Sequence, residues 1–434
     1  MAGFFWKHYL LFVGLVLFWK IFSGAEANAA NACDKHYVSA INIEGNQRTN
    51  GYIVKKLMKL DVPGCYSIEF IEAAIQRLKN LGIFVDVDYQ FESSSGRLLI
   101  HVNERWTTIP ILKFASGGGV NQVIAGLYDP NVFGHYIEAG GQVERLGETN
   151  SGVLWVKHPH VFGKFSLFLQ VWDINRIRLK YEQDRIDPEI KMGFLHHRKK
   201  QFVELSRNYS DDLVVGLRFE VHEDEFSERY IDDEVRKKNV LNPVPQNTLT
   251  HLSAVKVAFG QMNQHIHLFD GFQSTVDYEY ASSKTPEVKD FYSLRVSTNY
   301  ASIFAGENQI AHRFLAGATD TNVLQYWYYL GGLDRIRGYS DNRFAGRYYI
   351  LSNLEYRHPV FRKKSYIVQA SGFYDVLFSD ESMAKLKDSD GESTGFGLRF
   401  ILPQIYRFVA RVDFAIPLKK RDEVPISFGV QQYF

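Results

Sequence analysis

The 434-residue chain is poor in cysteine (2), methionine (5) and proline (12), and its formal net charge is only +1. Each shortage excludes something. Two cysteines cannot supply a disulfide-rich scaffold or a four-cysteine zinc site. Near-zero charge argues against a general nucleic-acid binder, which needs a basic excess. Beyond Trp19 no long apolar run occurs, so the body of the chain offers no transmembrane helix. Enzyme signatures are missing too: no Gly-x-Ser-x-Gly elbow, no Walker loop, no His-Glu-x-x-His, no paired Cys-x-x-Cys. What the chain has instead is 15% aromatic residues, with 33 Phe and 25 Tyr, and 33 Gly. That mixture suits many strands in contact with lipid.

The first residues read as an export signal. Lys7 is a positive n-region, residues 9–19 are a short apolar h-region, and small residues follow. Lys20 cuts the apolar run too short for a comfortable span. Residues 1–32 are therefore expected to be a signal peptide. Cys33 follows an Ala-rich stretch, which invites lipidation, but Ala30 stands where a lipoprotein signal has Leu. A disulfide to Cys65 is the better use of it in an oxidising compartment.

Residues 35–106 have the pattern of a small α+β domain. Residues 38–43 alternate as a strand. Asn50 is a candidate cap for a helix with Ile53, Val54, Leu57 and Leu60 on one face. Ser67 opens a second helix carrying Phe70, Ile71, Ala74, Ile75 and Leu78. Residues 83–91 and 97–102 form two strands around Ser93-Ser94-Ser95-Gly96. The order is β-α-α-β-β.

From residue 110 to 434 the pattern is alternation. Leu213, Val215, Leu217, Phe219 and Val221 are apolar, and Arg218 and Glu220 lie between them. Phe408, Ala410, Val412 and Phe414 alternate with Arg407, Arg411 and Asp413. One apolar and one charged face fit a membrane barrel with lipid outside and polar groups inside. Short connections are expected at residues 129–131, 158–160, 208–211, 306–308, 358–364 and 403–404. Long ones are expected at 175–199, 222–247, 318–346 and 377–392. Their acidic runs, Glu223-Asp224-Glu225 and Asp380-Glu381, read as solvated surface. The tally is about sixteen strands, an even number that closes an antiparallel barrel without a free edge in lipid.

The longest aromatic and Gly-rich connection is residues 328–344. It carries Gly331-Gly332 and Ile336-Arg337-Gly338-Tyr339. The latter resembles the Val/Ile-Arg-Gly-Phe/Tyr signature of the outer-membrane assembly and two-partner-secretion superfamily, the BamA, TamA and FhaC types and bacterial surface antigens. Downstream, Asn353-Leu354-Glu355-Tyr356-Arg357, Phe373-Tyr374-Asp375, Gly395-Phe396-Gly397-Leu398-Arg399-Phe400 and Arg411-Val412-Asp413 match the family's later strands. Phe434 matches the terminal aromatic of its assembly signals. Residues 35–106 resemble its polypeptide-binding POTRA module, on Ile43-Glu44-Gly45-Asn46, Arg48-Thr49 and Leu81-Gly82-Ile83-Phe84. One such segment is present, where BamA types carry several and FhaC types two.

The resemblance implies a mainly β fold: a sixteen-stranded transmembrane barrel behind one periplasmic POTRA-like domain, in the bacterial outer membrane. It implies a loop folded into the lumen with Arg337 paired to the inward carboxylates Glu355 and Asp375. It implies a weak seam between first and last strands, loosened by Gly117-Gly118-Gly119. Expected partners are unfolded outer-membrane or secreted polypeptides, the lipid bilayer and periplasmic accessory proteins, with no nucleic acid, no cofactor and no enzymatic activity. A general diffusion porin and an outer-membrane hydrolase are the alternative readings. His158-Pro159-His160 and His265-Ile266-His267 could each place two imidazoles together, but no third metal ligand is implied.

Overall fold

The computed structural model describes residues 36–117, 120–162, 165–181, 189–240, 243–265, 267–332, 335–405, 408–419 and 426–430. The signal-peptide reading of residues 1–32, and Cys33, Gly118, Gly119 and Phe434, lie outside them.

The first unit holds strands β1 (His36–Val38), β2 (Ala40–Glu44), β3 (Gly64–Tyr66), β4 (Phe84–Glu92) and β5 (Arg97–Glu104). Two helices, α1 (Gly51–Met58) and α2 (Ile68–Asn80), lie among them. Their starts follow from capping. The Asn50 side chain accepts from the Tyr52 amide (2.9 Å), and Ser67 Oγ from the Phe70 amide (3.3 Å). The apolar stripes Val54, Leu57, Met58 and Ile71, Ala74, Ile75, Leu78 are buried against the β2-β5-β4 sheet. Each large one stabilises by about 1.5–3 kcal/mol. The short β1–β3 pair is an addition to the β-α-α-β-β order read from the sequence.

The second unit is a sixteen-stranded antiparallel sheet. Its strands are β6 (Ile109–Gly117), β7 (Val120–Val132), β8 (Ile137–Leu146), β9 (Thr149–Phe162), β10 (Phe165–Tyr181), β11 (Ile190–Ser210), β12 (Leu213–Ser227), β13 (Thr248–His265), β14 (Leu268–Ser283), β15 (Phe291–Phe304), β16 (Asn308–Thr319), β19 (Tyr348–Arg362), β20 (Ile367–Asp380), β21 (Gly391–Ile401), β22 (Val409–Pro417) and β23 (Ile426–Val430). Between β16 and β19 lies the small hairpin β17 (Tyr328–Leu330) and β18 (Phe344–Gly346). β6 and β23 lie side by side, but no ladder joins them among the described residues.

The faces of this barrel are those of a membrane protein. Leu217 and Phe219 are 52% and 60% exposed, while Arg218 and Glu220, which alternate with them, are buried. Tyrosines 278, 280 and 292 cluster toward one rim, and Phe304 packs on Tyr356 toward the other. From Tyr292 to Phe304, β15 climbs about 40 Å at ~3.4 Å per residue. A strand tilt of ~40° reduces this to about 30 Å, the thickness of a hydrocarbon core.

The strands run further into the connections than the alternation suggested. Residues 175–199 are mostly strand, since β10 reaches Tyr181 and β11 starts at Ile190. There the outward row is charged: Asp173 faces Lys199, Lys199 faces Glu223 and His197 faces Glu225 across neighbouring strands. Further along the same face the row turns apolar, with Ile177 opposite Leu195 and Leu179 opposite Gly193. Three expected turns are strand ends instead. Pro130, Pro159 and Pro359 all sit where the register shifts, a place where a residue without an N–H breaks no ladder bond. The β7–β8 turn falls at residues 133–136.

The small unit docks on the turn end of the barrel. Asn131 Nδ2 donates to Thr49 Oγ1 (2.9 Å), and the Asn50 amide donates to the Gly134 carbonyl (3.0 Å). Gly134 sits at φ +72°, and a Cβ there would lie 2.1 Å from the Arg48 carbonyl oxygen. Asp211, in the β11–β12 turn, receives Lys59 Nζ (2.5 Å) and Arg77 Nη1 (2.8 Å).

Candidate functional site: a loop clamped inside the barrel

The connection from β16 to β19 does not stand out in water. The β17–β18 stalk pairs Tyr328 with Gly346 and Leu330 with Phe344. Above it the chain doubles back. The Gly332 amide lies 3.1 and 3.0 Å from the carbonyls of Tyr339 and Ser340. Gly331 has φ +139°, and a Cβ there would meet the Ser340 carbonyl oxygen at 2.1 Å. This fold-back carries Ile336, Arg337 and Tyr339 into the barrel, where they are 0%, 1% and 1% exposed. Ile336 joins a lumen cluster with Leu315, Leu330, Phe344, Tyr349, Leu351 and Leu377.

Arg337 sits between two carboxylates of neighbouring strands. Its Nε and Nη2 donate to Asp375 Oδ2 and Oδ1, both at 2.8 Å, and its Nη1 donates to Glu355 Oε2 at 2.7 Å. The Arg337 backbone N–H also donates to Asp375 (3.2 Å), and the guanidinium lies 3.5 Å over the Phe373 ring. A planar five-donor fork can satisfy both acids at once, which an ammonium cannot. Strand parity makes this possible. Asn353, Glu355 and Arg357 face inward, and Leu354 and Tyr356 are exposed outward. On β20, Phe373 and Asp375 face inward and Tyr374 outward.

The pairing continues along the wall. Glu355 Oε1 also receives Arg357 Nε (2.8 Å) and Arg399 Nη2 (3.1 Å). Arg399 Nη1 reaches Asp413 (2.7 Å), and Arg411 reaches the same acid (2.8 Å). Glu355, Asp375, Asp413 and Arg399 are all fully buried. Gly338, at φ +85°, runs beside Ala415 and Pro417 of β22. The Tyr339 hydroxyl lies within hydrogen-bond reach of the Glu392 and Lys419 carbonyls, at 2.8 and 2.5 Å. The loop thus spans β19 to β22 on one wall.

A second buried cluster lies on β11–β14. Asp224 Oδ1 receives Arg198 Nε (2.5 Å) and lies 2.7 Å from His196 Nε2. Arg218 bridges Glu220 (2.6 Å), Asp277 (2.9 Å) and Glu279 (2.7 Å). Asp224 was expected to be solvated surface; it is 1% exposed. The signal was available. Arg198 and Lys200, and Glu220, His222 and Asp224, share one parity on adjacent strands.

The other singled-out residues are simply placed. Cys65 is disulfide-bonded. Gly117 ends β6 opposite Val120. His158 and His160 belong to β9. Among the described residues, no group of three His, Cys, Asp or Glu side chains could hold a metal ion.

An α+β module before a sixteen-stranded barrel with a buried Arg-Gly loop defines an outer-membrane barrel protein with a POTRA domain. The Omp85 superfamily domain matches residues 254–433, and the POTRA surface antigen variable number repeat matches 36–105. The chain thus carries an Omp85 superfamily domain behind a POTRA domain. No curated protein sequence matches it. CdiB from Acinetobacter baumannii aligns with a TM-score of 0.60 at 12% identity, over 91% of this chain and 74% of that one. BamA from Haemophilus ducreyi lacking POTRA domains 1-3 aligns at 0.53 and 14%, over 90% and 83%. CdiB from Escherichia coli aligns at 0.52 and 13%, over 94% and 91%. At these identities the likeness is one of fold.

Proposed function

We propose that this barrel inserts polypeptides into the outer membrane or passes them across it, with the Arg337 loop as its working part. The POTRA domain, in the periplasm, receives unfolded outer-membrane or secreted chains. The observation that carries the reading is the Arg337 clamp between Glu355 and Asp375. An interior held by buried ion pairs around an inserted loop is a device for positioning that loop. A loop tied across the lumen obstructs the open water-filled channel that a general diffusion pore needs. β6 and β23 lie side by side with no ladder between them among the described residues, which supports the same reading, since strand edges of this kind can pair with a client or part. Client folding and lipid burial supply the driving force.

Reconstitution tests the proposal. Purified protein in liposomes, given an unfolded outer-membrane polypeptide, should yield protease-protected, heat-modifiable client. Equal yield from empty liposomes, together with free passage of small sugars through the protein, would favour a porin instead.

A further inference from the structure

The loop touches the lumen wall at more than one place, and the contacts differ in kind. At β19 and β20 the contact is the Arg337 clamp. Asp375 is held by three donors, all from Arg337. Pulling Arg337 away would strand a buried carboxylate. Across the lumen, Arg178 on β10 donates to Asn342 Oδ1 (2.6 Å) and its guanidinium lies 4.5 Å over the Tyr329 ring. In the strand order β10 is eight places from β20, half of the sixteen. The loop therefore crosses the lumen.

The third contact is made before the stalk, by the single turn Leu324–Tyr326. Tyr326 stacks on His222 at 6.2 Å, packs on Phe291 at 4.7 Å and lies under the Arg198 guanidinium at 4.9 Å. Its hydroxyl donates to Asp224 Oδ2 at 3.1 Å. The Gln325 carbonyl accepts a long bond from Arg198, and the Gln325 amide a long contact to Thr248, both at 3.3 Å. Two of these contacts reach charged groups, the phenol bond to Asp224 and the ring under Arg198, but none of them is an ion pair. Asp224 does not depend on them, because Arg198 grips both of its oxygens (2.5 and 3.1 Å) and His196 adds a third partner. When Tyr326 leaves, no charge is stranded, and water can replace one phenol bond.

We propose that Tyr326 is a releasable latch: it positions the loop across the lumen against β11–β13, and the loop opens by letting go there while Arg337 stays clamped. The inference rests on the loop being the working part, but its test does not depend on a client.

Conductance of the full-length protein in planar bilayers reads the latch directly. Tyr326→Ala should raise the fraction of time spent conducting roughly tenfold, equivalent to about 1.4 kcal/mol. Tyr326→Phe keeps the ring stack and loses the bond to Asp224, so it should fall between the two. Tyr326→Cys with His222→Cys, joined by a short bifunctional thiol reagent, should conduct less than wild type. If Tyr326→Ala fails to insert, Tyr326→Phe and the crosslinked pair decide. Wild-type conductance in the variants that insert, crosslinked pair included, overturns the latch. Failure of client assembly in liposomes alongside a working latch would count against the proposed function and leave the latch standing.

Discussion

At the scale of single residues, Glu355 carries more of the interior than Arg337 does. It accepts from Arg337, Arg357 and Arg399, all buried with it. Glu355→Ala would leave three guanidiniums short of an anion, and Arg337→Ala would leave two acids short of one cation. Removing one partner of a buried pair costs about 3–5 kcal/mol. Glu355→Ala is therefore expected to lower the temperature at which the folded band converts on gels, by more than Arg337→Ala does. Arg399 remains paired with Asp413 in either case. An equal shift for the two variants would mean that the arginines find other partners. Cys65 offers a second test at this scale. A bridge to Cys33 would close a loop of about thirty residues, worth about 3 kcal/mol in the chain-entropy model before strain. Thiol labelling of the unfolded, unreduced protein should find no reactive thiol; two would rule the bridge out, and so would an acyl mass on Cys33.

At the scale of elements, α1 and α2 meet the barrel through Asp211. Burial acts to raise the pKa of this carboxyl, but hydrogen bonds and charge from Lys59 and Arg77 outweigh it and hold it below its ordinary value. The docked pKa is the lower one. The pair thus favours docking at any pH above the ordinary carboxylate pKa of about 4, and loses that contribution as pH falls through the depressed value. Docking should be flat across neutral pH and weaken only in acid. Exchange of the Asn50 amide, which donates to the Gly134 carbonyl of the β7–β8 turn, is the readout. Asp211→Asn should exchange faster at neutral pH and lose the acid response; an unchanged profile would remove Asp211 from the docking account. Much of each element was legible in the chain. Asn50 and Ser67 announce both helices, and the parity of Glu355 with Asn353 and Arg357 places it inside. The differences share one cause: local chemistry does not carry its surroundings. Pro130, Pro159 and Pro359 look like turns because proline breaks ladders, yet each sits at a bulge where no ladder bond is needed. Residues 175–199 look like loop because the polar run Glu182-Gln183-Asp184-Arg185 and Pro188 interrupt the alternation of Ile177, Leu179 and Tyr181. Asp224 looks solvated because its partners, His196 and Arg198, are distant in sequence.

At the scale of the whole molecule, the barrel is lopsided. β11 has 21 residues and β13 has 18, while β8 has 10 and β22 has 9. About 9–11 residues suffice to cross the bilayer. The tall wall therefore rises above the membrane and holds the Tyr326 side of the loop, and the shorter strands lie toward the side where β6 and β23 meet. Arg337 hangs from β19 and β20, toward the seam side of the molecule in strand order. The loop so placed ties the tall wall to the short one, and that tie is the central claim. Complementation of a strain lacking the protein, with outer-membrane yield measured alongside, tests it most directly. Arg337→Ala and Asp375→Ala should reach the membrane in folded form and lose activity by about tenfold or more, and Arg337→Lys should restore it only in part. Wild-type activity in both alanine variants at normal yield would contradict the account.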